Sequence, residues 1–126
     1  MTRWLDRRIA YPGPFLALCL TEDEYKKAMR HCKAPIIHAW IKTAWSDATA
    51  HYLDNDKGQR VCIVCLKVTP DRNAIEIAGL LVHEAVHCWQ DYCARIGEKR
   101  PGVEQEAYGI QSIAQELLAE YARRIQ

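Results

Sequence analysis

Two histidines and a glutamate stand at the spacing His83-Glu84-x-x-His87, within the largely apolar residues 80–89. Residues four apart on a helix lie above one another, so His83 and His87 can direct two imidazoles at one metal ion. Glu84 lies one step round the helix, where its carboxylate can reach a water bound to that metal rather than the metal itself. The pattern therefore predicts one Zn²⁺ ion held by the two histidines, with Glu84 as general base on the zinc-bound water.

A third protein ligand is expected, because catalytic zinc sites take three protein ligands and leave the fourth position to water. Glu104 and Glu106 open the next predicted helix, shortly after His87 in the chain. Two helices joined by a short turn would bring this first turn beside the second histidine, so both glutamates are candidates. Acidic residues are also favoured at helix N-termini by the helix dipole, which accounts for at least one of them.

The elements that must position these residues follow from the hydrophobic pattern. In chain order they are a strand at 15–20, a helix at 22–33, a β-hairpin whose second strand is 60–68, a helix at 74–95 and a helix at 103–125. Asn73 is followed three residues later by Glu76, the capping-box spacing that marks a helix start, and Gly97 is a natural helix stop. Residues 1–14 are expected to form an irregular arm.

The predicted architecture is a single α+β domain over residues 1–126. A short sheet with a β-hairpin would pack on the H-E-x-x-H helix and on the C-terminal glutamate helix. The last helix is expected to bury an apolar stripe that recurs every three or four residues. Its members are Val103, Ala107, Ile110, Ala114, Leu117 and Tyr121.

Composition excludes several functional classes. The formal net charge of +1 gives no electrostatic footprint for nucleic acid or an anionic membrane. No basic segment followed by an apolar one opens the chain, and no apolar run approaches the roughly 18 residues that span a bilayer. A cytoplasmic protein is therefore the expectation.

Six cysteines are many for 126 residues, and Cys62-x-x-Cys65 invites a zinc-knuckle or redox interpretation. The pair falls inside a predicted strand, where residues three apart face opposite sides. No second cysteine pair follows at knuckle spacing. We therefore expect the cysteines to be reduced and to pack in the core as small hydrophobic side chains.

The H-E-x-x-H pattern with apolar flanks, followed by E-x-x-A-Y at residues 104–108, resembles the gluzincin type of zincin metallopeptidase. The resemblance covers roughly residues 60–125. The compact size and the run at 101–111 are similar to small zincin-like proteins of phages and prophages. The resemblance implies zinc-dependent hydrolysis of a peptide bond, with a peptide or protein as substrate.

The gluzincin pattern also indicates which of the two glutamates is the better candidate for the third ligand. With Glu104 as the ligand, Ile110 falls on an apolar position of the pattern, whereas Glu106 would place polar residues there. Glu104 is therefore favoured and Glu106 is the alternative. In this register Tyr108 replaces the carboxylate that usually orients the site, and it is also the nearest candidate for a catalytic oxyanion donor.

Two further expectations complete the sequence interpretation. The strand at 60–68 resembles the zincin edge strand that pairs with an extended substrate. The alternative function is a catalytically silent, zinc-binding structural or interaction module of a phage or prophage, which the small size favours. Glu84 argues against that alternative, because a purely structural zinc site has no use for a general base.

Overall fold

The computed structural model describes residues 2–5 and 13–125 of the chain. A mixed four-stranded sheet of order β1-β2-β4-β3 carries helices on both faces. The elements are β1 (Trp4–Leu5), β2 (Phe15–Cys19), α1 (Glu22–His31), β3 (Ala48–Asp54), β4 (Arg60–Leu66), α2 (Ala74–Ile96) and α3 (Val103–Arg124). The α+β class expected from the sequence, with a hairpin and two C-terminal helices, is confirmed.

The sheet is built around β4, which pairs in parallel with β2 and antiparallel with β3. Residues 61–66 are all buried, because α1 covers one face of the strand while α2 and α3 cover the other. The expectation that 60–68 is the edge strand is therefore wrong. An apolar run without alternation marks a strand covered on both faces, and the outer strand on this side of the described sheet is β3.

The N-terminal arm is not irregular throughout. Trp4 and Leu5 form β1, which pairs antiparallel with β2 through Ala17 and Leu16. Two residues are too few to show a strand periodicity, so this pairing could not be predicted from the hydrophobic pattern. Residues 6–12 of the predicted arm lie outside the described part of the chain.

The helix that carries the H-E-x-x-H pattern is fixed at both ends by local chemistry. The Asn73 side chain accepts a hydrogen bond from the Glu76 backbone N–H at 2.8 Å, and the Glu76 carboxylate accepts one from the Asn73 N–H at 3.1 Å. Gly97 ends the helix with φ of 74°, a left-handed conformation that glycine adopts without strain. The predicted helix at 74–95 is thus confirmed to within one residue.

Helix α3 packs on α2, but not along the whole predicted stripe. Ala114 and Leu117 are buried, and Ile110 and Tyr121 are half-buried. Val103 and Ala107 are exposed, so the stripe is wrong in the first turns of α3.

The closest approach of the two helices explains where the buried stripe begins. A Cβ atom placed on Gly109 would lie 2.3 Å from Cζ3 of Trp89, so only glycine fits against the indole ring there. The tight packing between the helices therefore starts at Gly109, and the residues of α3 before it stay exposed to solvent.

All six cysteines are buried and none forms a disulfide. Cys62 and Cys65 point to opposite faces of β4, as their spacing predicted. Cys62 lies against Cys88 of α2, and Cys65 pairs in register with Cys19 of β2. The expectation that these residues pack in the core is confirmed.

Candidate metal centre

His83 and His87 lie on an exposed strip of α2, one turn apart, with their rings converging. The two Nε2 atoms are 3.2 Å apart, and the ring centroids are separated by 4.8 Å. Two nitrogens bound tetrahedrally to zinc at about 2.0–2.1 Å stand roughly 3.3 Å from each other. The pair therefore fits two corners of a zinc site, although the same separation also allows an N–H···N hydrogen bond between neutral rings.

Glu84 occupies the next strip of the helix and is only 6% exposed. Within residues 2–5 and 13–125, no group donates a hydrogen bond to its carboxylate. Burial raises the pKa of Glu84, and the nearby imidazoles of His83 and His87 oppose that rise when they are charged. The oxygens of Glu84 are not fully enclosed, because this residue lines the cleft described below. A carboxylate with a raised pKa at the edge of a cleft is a candidate for a functional base.

A cleft of about 500 Å³ opens beside these residues, between the first half of α2 and the start of β3. Its lining residues are Ser46, Asp47, Ala48, Arg72, Glu76, Gly79, Leu80, His83 and Glu84. The space beside Gly79 is open, since a Cβ atom added there would meet nothing within 4 Å. Glu84 and His83 therefore face a space that a ligand can enter.

One ion pair shapes the wall of this cleft. Arg72 Nη2 lies 2.9 Å from Asp47 Oδ1, which ties the start of α2 to the segment before β3. The Arg72 Nε atom is buried and has no hydrogen-bond partner in the part of the chain that the structure describes. Sequence reasoning did not single out either residue, because their pairing joins distant segments.

The glutamates proposed as third ligand are not brought to the histidines. Among the described residues, no three His, Cys, Asp or Glu side chains come together as a metal-binding group. Glu104 and Glu106 are both exposed on the first turn of α3. The third ligand therefore stays a prediction.

Glu106 has a different partner, which lies on the far side of α2. Its Oε2 accepts a hydrogen bond from the Trp89 indole N–H at 3.1 Å. Residues two apart on a helix differ by about 200° in direction, so Trp89 points away from the strip that carries His87. This contact places Glu106 on the packed side of α2 and not beside His83 and His87.

Tyr108 is 64% exposed on α3 and does not line the cleft. A different phenol, that of Tyr52, is close enough to Glu84 for the two groups to interact electrostatically. Tyr52 is half-buried on the face of β3 that α2 covers, opposite Cys62 in the register. Burial raises its pKa strongly, and the negative charges of neighbouring groups, Glu84 among them, add to this, so the phenol keeps its proton. The sequence carried no signal for Tyr52, because its position depends on strand pairing.

Gln90 is the other residue that sequence reasoning missed. Its Oε1 lies 2.8 Å from Nδ1 of His87. The signal was present in the chain, since residues three apart on a helix share a face.

No family model matches this chain, and neither the curated proteins nor the solved structures provide a match. None of the helices in the described residues combines the length and the apolar character that crossing a bilayer requires. What can be inferred about function therefore comes from the chemistry of the site.

Proposed function

We propose that this protein is a zinc-dependent hydrolase of peptide bonds. The observation that carries the proposal is the pairing of a buried carboxylate without a hydrogen-bond donor, Glu84, with two converging imidazole nitrogens at one side of an open cleft. Burial raises the pKa of Glu84, which makes its carboxylate a stronger base than an exposed one.

His83 and His87 would hold the zinc ion through their Nε2 atoms. Zinc in such a site lowers the pKa of a bound water towards about 7 and polarises a carbonyl group. Glu84 would take a proton from the attacking water as the new C–O bond forms. It would then deliver that proton to the amine nitrogen as the C–N bond breaks, so that water is consumed and two peptide fragments are released.

The outer strand β3 is the proposed platform for the substrate. Ala48, at its start, lines the cleft together with His83 and Glu84. No further strand pairs with the outer edge of β3 in the described part of the sheet. An extended peptide could add to such an edge through backbone hydrogen bonds. Ala48 and Ala50 carry only small side chains on the face towards α2, where they pack against the core.

The alternative of a catalytically silent zinc-binding module is less well supported. A purely structural zinc site has no use for a general base. Here Glu84 lines the same cleft as His83, its neighbour on α2, and that pairing favours catalysis.

Metal analysis of the purified protein tests the proposal. We expect one zinc per chain in the wild type and its loss from the double variant His83→Ala/His87→Ala. Both histidines are exposed, so the variant should keep its circular dichroism spectrum. His38→Ala, which removes an exposed histidine from another segment, should retain the metal. A wild-type protein that binds no zinc when it is supplied would overturn the proposal.

The third ligand calls for a separate comparison of two neighbouring residues. Glu104→Gln should weaken zinc binding if Glu104 supplies a ligand once the metal is present. Glu106→Gln should leave zinc affinity unchanged and instead weaken the contact with Trp89. Zinc affinity can be measured by competition with a chromophoric chelator. If both variants bind zinc with the affinity of the wild type, neither glutamate of α3 belongs to the metal site.

A further inference from the structure

The side chain of Gln90 lies within hydrogen-bonding distance of His87. Its amide oxygen lies 2.8 Å from Nδ1 of His87, and an oxygen of this kind only accepts hydrogen bonds. Nδ1 must therefore carry the proton. In a neutral imidazole the other nitrogen, Nε2, then keeps its lone pair.

That lone pair belongs to the atom that faces the neighbouring histidine. Nε2 of His87 is 3.2 Å from Nε2 of His83. If the tautomer were reversed, a proton on Nε2 would occupy the space in which a shared cation has to sit. The contact with the Gln90 amide oxygen therefore favours the tautomer in which the Nε2 lone pair of His87 faces His83.

We infer that Gln90 is a positioning residue, which holds His87 in its Nδ1–H tautomer and presents Nε2 to a divalent cation. This inference rests on the proposed function. Metal-binding histidines commonly donate their second N–H to an oxygen that fixes the ring and its tautomer. Tyr108 was expected in a comparable orienting role from α3, whereas Gln90 acts from the same helix, one turn beyond its histidine.

The arrangement is asymmetric between the two histidines. In the part of the chain that the structure describes, no side chain accepts a hydrogen bond from Nδ1 of His83. Gln90 is itself exposed, so its contact with His87 contributes little to folding. A change at Gln90 should therefore act on one imidazole and leave the fold intact.

The test compares Gln90→Met, which keeps the side-chain length but removes the acceptor, with Gln90→Glu, which keeps an acceptor. Gln111→Met, on the exposed side of α3, is the matched control. The first measurement uses metal-free protein and records the ¹⁵N chemical shifts of the imidazole nitrogens of His87. We expect the Nδ1–H form in the wild type and in Gln90→Glu, and loss of that preference in Gln90→Met.

The second measurement is the zinc affinity from chelator competition. Loss of an orienting partner typically weakens metal binding 10–100-fold, and we expect that range for Gln90→Met. Gln90→Glu should bind zinc at least as tightly as the wild type, and Gln111→Met should not differ from it.

The outcomes separate the two proposals. Wild-type protein that binds zinc while Gln90→Met binds it equally well would overturn the role of Gln90 alone. The Nε2–H form of His87 in metal-free wild-type protein would do the same. A wild type that binds no zinc would overturn the metal centre and, with it, this inference.

Discussion

Two buried carboxylates on neighbouring helices have opposite surroundings. Glu120 of α3 is 2% exposed and accepts two hydrogen bonds from Arg123, at 2.8 and 2.6 Å. Arg3 and Arg124 lie 3.9 and 4.0 Å away. Glu84 of α2 is 6% exposed and has neither a cation from Lys or Arg nor a hydrogen-bond donor in the described part of the chain.

The pKa values of the two groups move in opposite directions. Hydrogen bonds from Arg123 hold the pKa of Glu120 below its usual value. Burial raises the pKa of Glu84. A carboxylate surrounded by guanidinium groups stays ionised and stabilises the fold, whereas burial without such groups makes a carboxylate a stronger base. The contrast separates a structural acid from a candidate catalytic base without reference to sequence motifs.

The largest expected effect comes from Glu84→Gln. If Glu84 is the general base, hydrolysis of a fluorogenic peptide library should fall by about 10²–10⁴-fold, the usual contribution of proton transfer. Zinc content should stay at the wild-type level. Because the change removes a buried charge without a donor, resistance to urea should be unchanged or higher. Undiminished hydrolysis in this variant would place Glu84 outside the reaction.

The matching change at Glu120 should act on stability and not on hydrolysis. Glu120→Gln removes the charge from the hydrogen bonds with Arg123, and we expect a loss of about 1–3 kcal/mol in the free energy of unfolding, measured in urea. Glu116→Gln, on the same helix, serves as control because Glu116 is less buried. An unchanged unfolding midpoint for Glu120→Gln would show that the Arg123 contact is neutral.

The difference in the free energy of unfolding between the wild type and Glu120→Gln should be smaller at low pH. The folded-state pKa of Glu120 lies below the ordinary value of 4.5, so its stabilising charge is fully present above about pH 4.5. That contribution is lost as the pH falls through the folded-state pKa. The gap in unfolding free energy between wild type and Glu120→Gln should therefore be full at neutral pH and narrow well below pH 4.5. A gap that persists in acid would mean that the charge is not its source.

Two glycines on the same two helices should change stability in opposite directions when they are replaced by alanine. Gly79 lines the cleft, and a Cβ atom there would meet nothing within 4 Å. Gly79→Ala should therefore stabilise α2 by up to ~1 kcal/mol through helix propensity. Gly109→Ala should destabilise the protein, because its Cβ would collide with Trp89. Thermal unfolding measures both signs, and a stabilising Gly109→Ala would contradict the tight packing.

Local chemistry in the sequence predicted much of the fold. Asn73 and Gly97 mark the ends of α2 by interactions within a few residues, and Cys62 and Cys65 follow from strand alternation alone. The α+β class and the hairpin were confirmed on such signals. The two-residue strand β1 lacked them, since its pairing with β2 joins distant parts of the chain.

The features of the candidate site also fall into two groups, those set by spacing on one helix and those set by packing between distant segments. The convergence of His83 and His87, and the burial of Glu84, follow from spacing on one helix. The place of Tyr108 depended on how α3 is rotated against α2, which the fit of Trp89 on Gly109 determines. The order of the strands around β4 also depends on pairing between distant segments of the chain. Zinc binding and peptide hydrolysis stay predictions.

The six thiols divide evenly between the two cores of the molecule. Cys19, Cys32 and Cys65 lie on the α1 side of the sheet, and Cys62, Cys88 and Cys93 lie on the side of α2 and α3. A reagent that alkylates only accessible thiols would therefore find none in the native state. The number of labels per chain, measured by mass spectrometry over time, would then distinguish local from global unfolding. Three labels would indicate that the helices on one face had separated from the sheet, and six that the whole domain had unfolded.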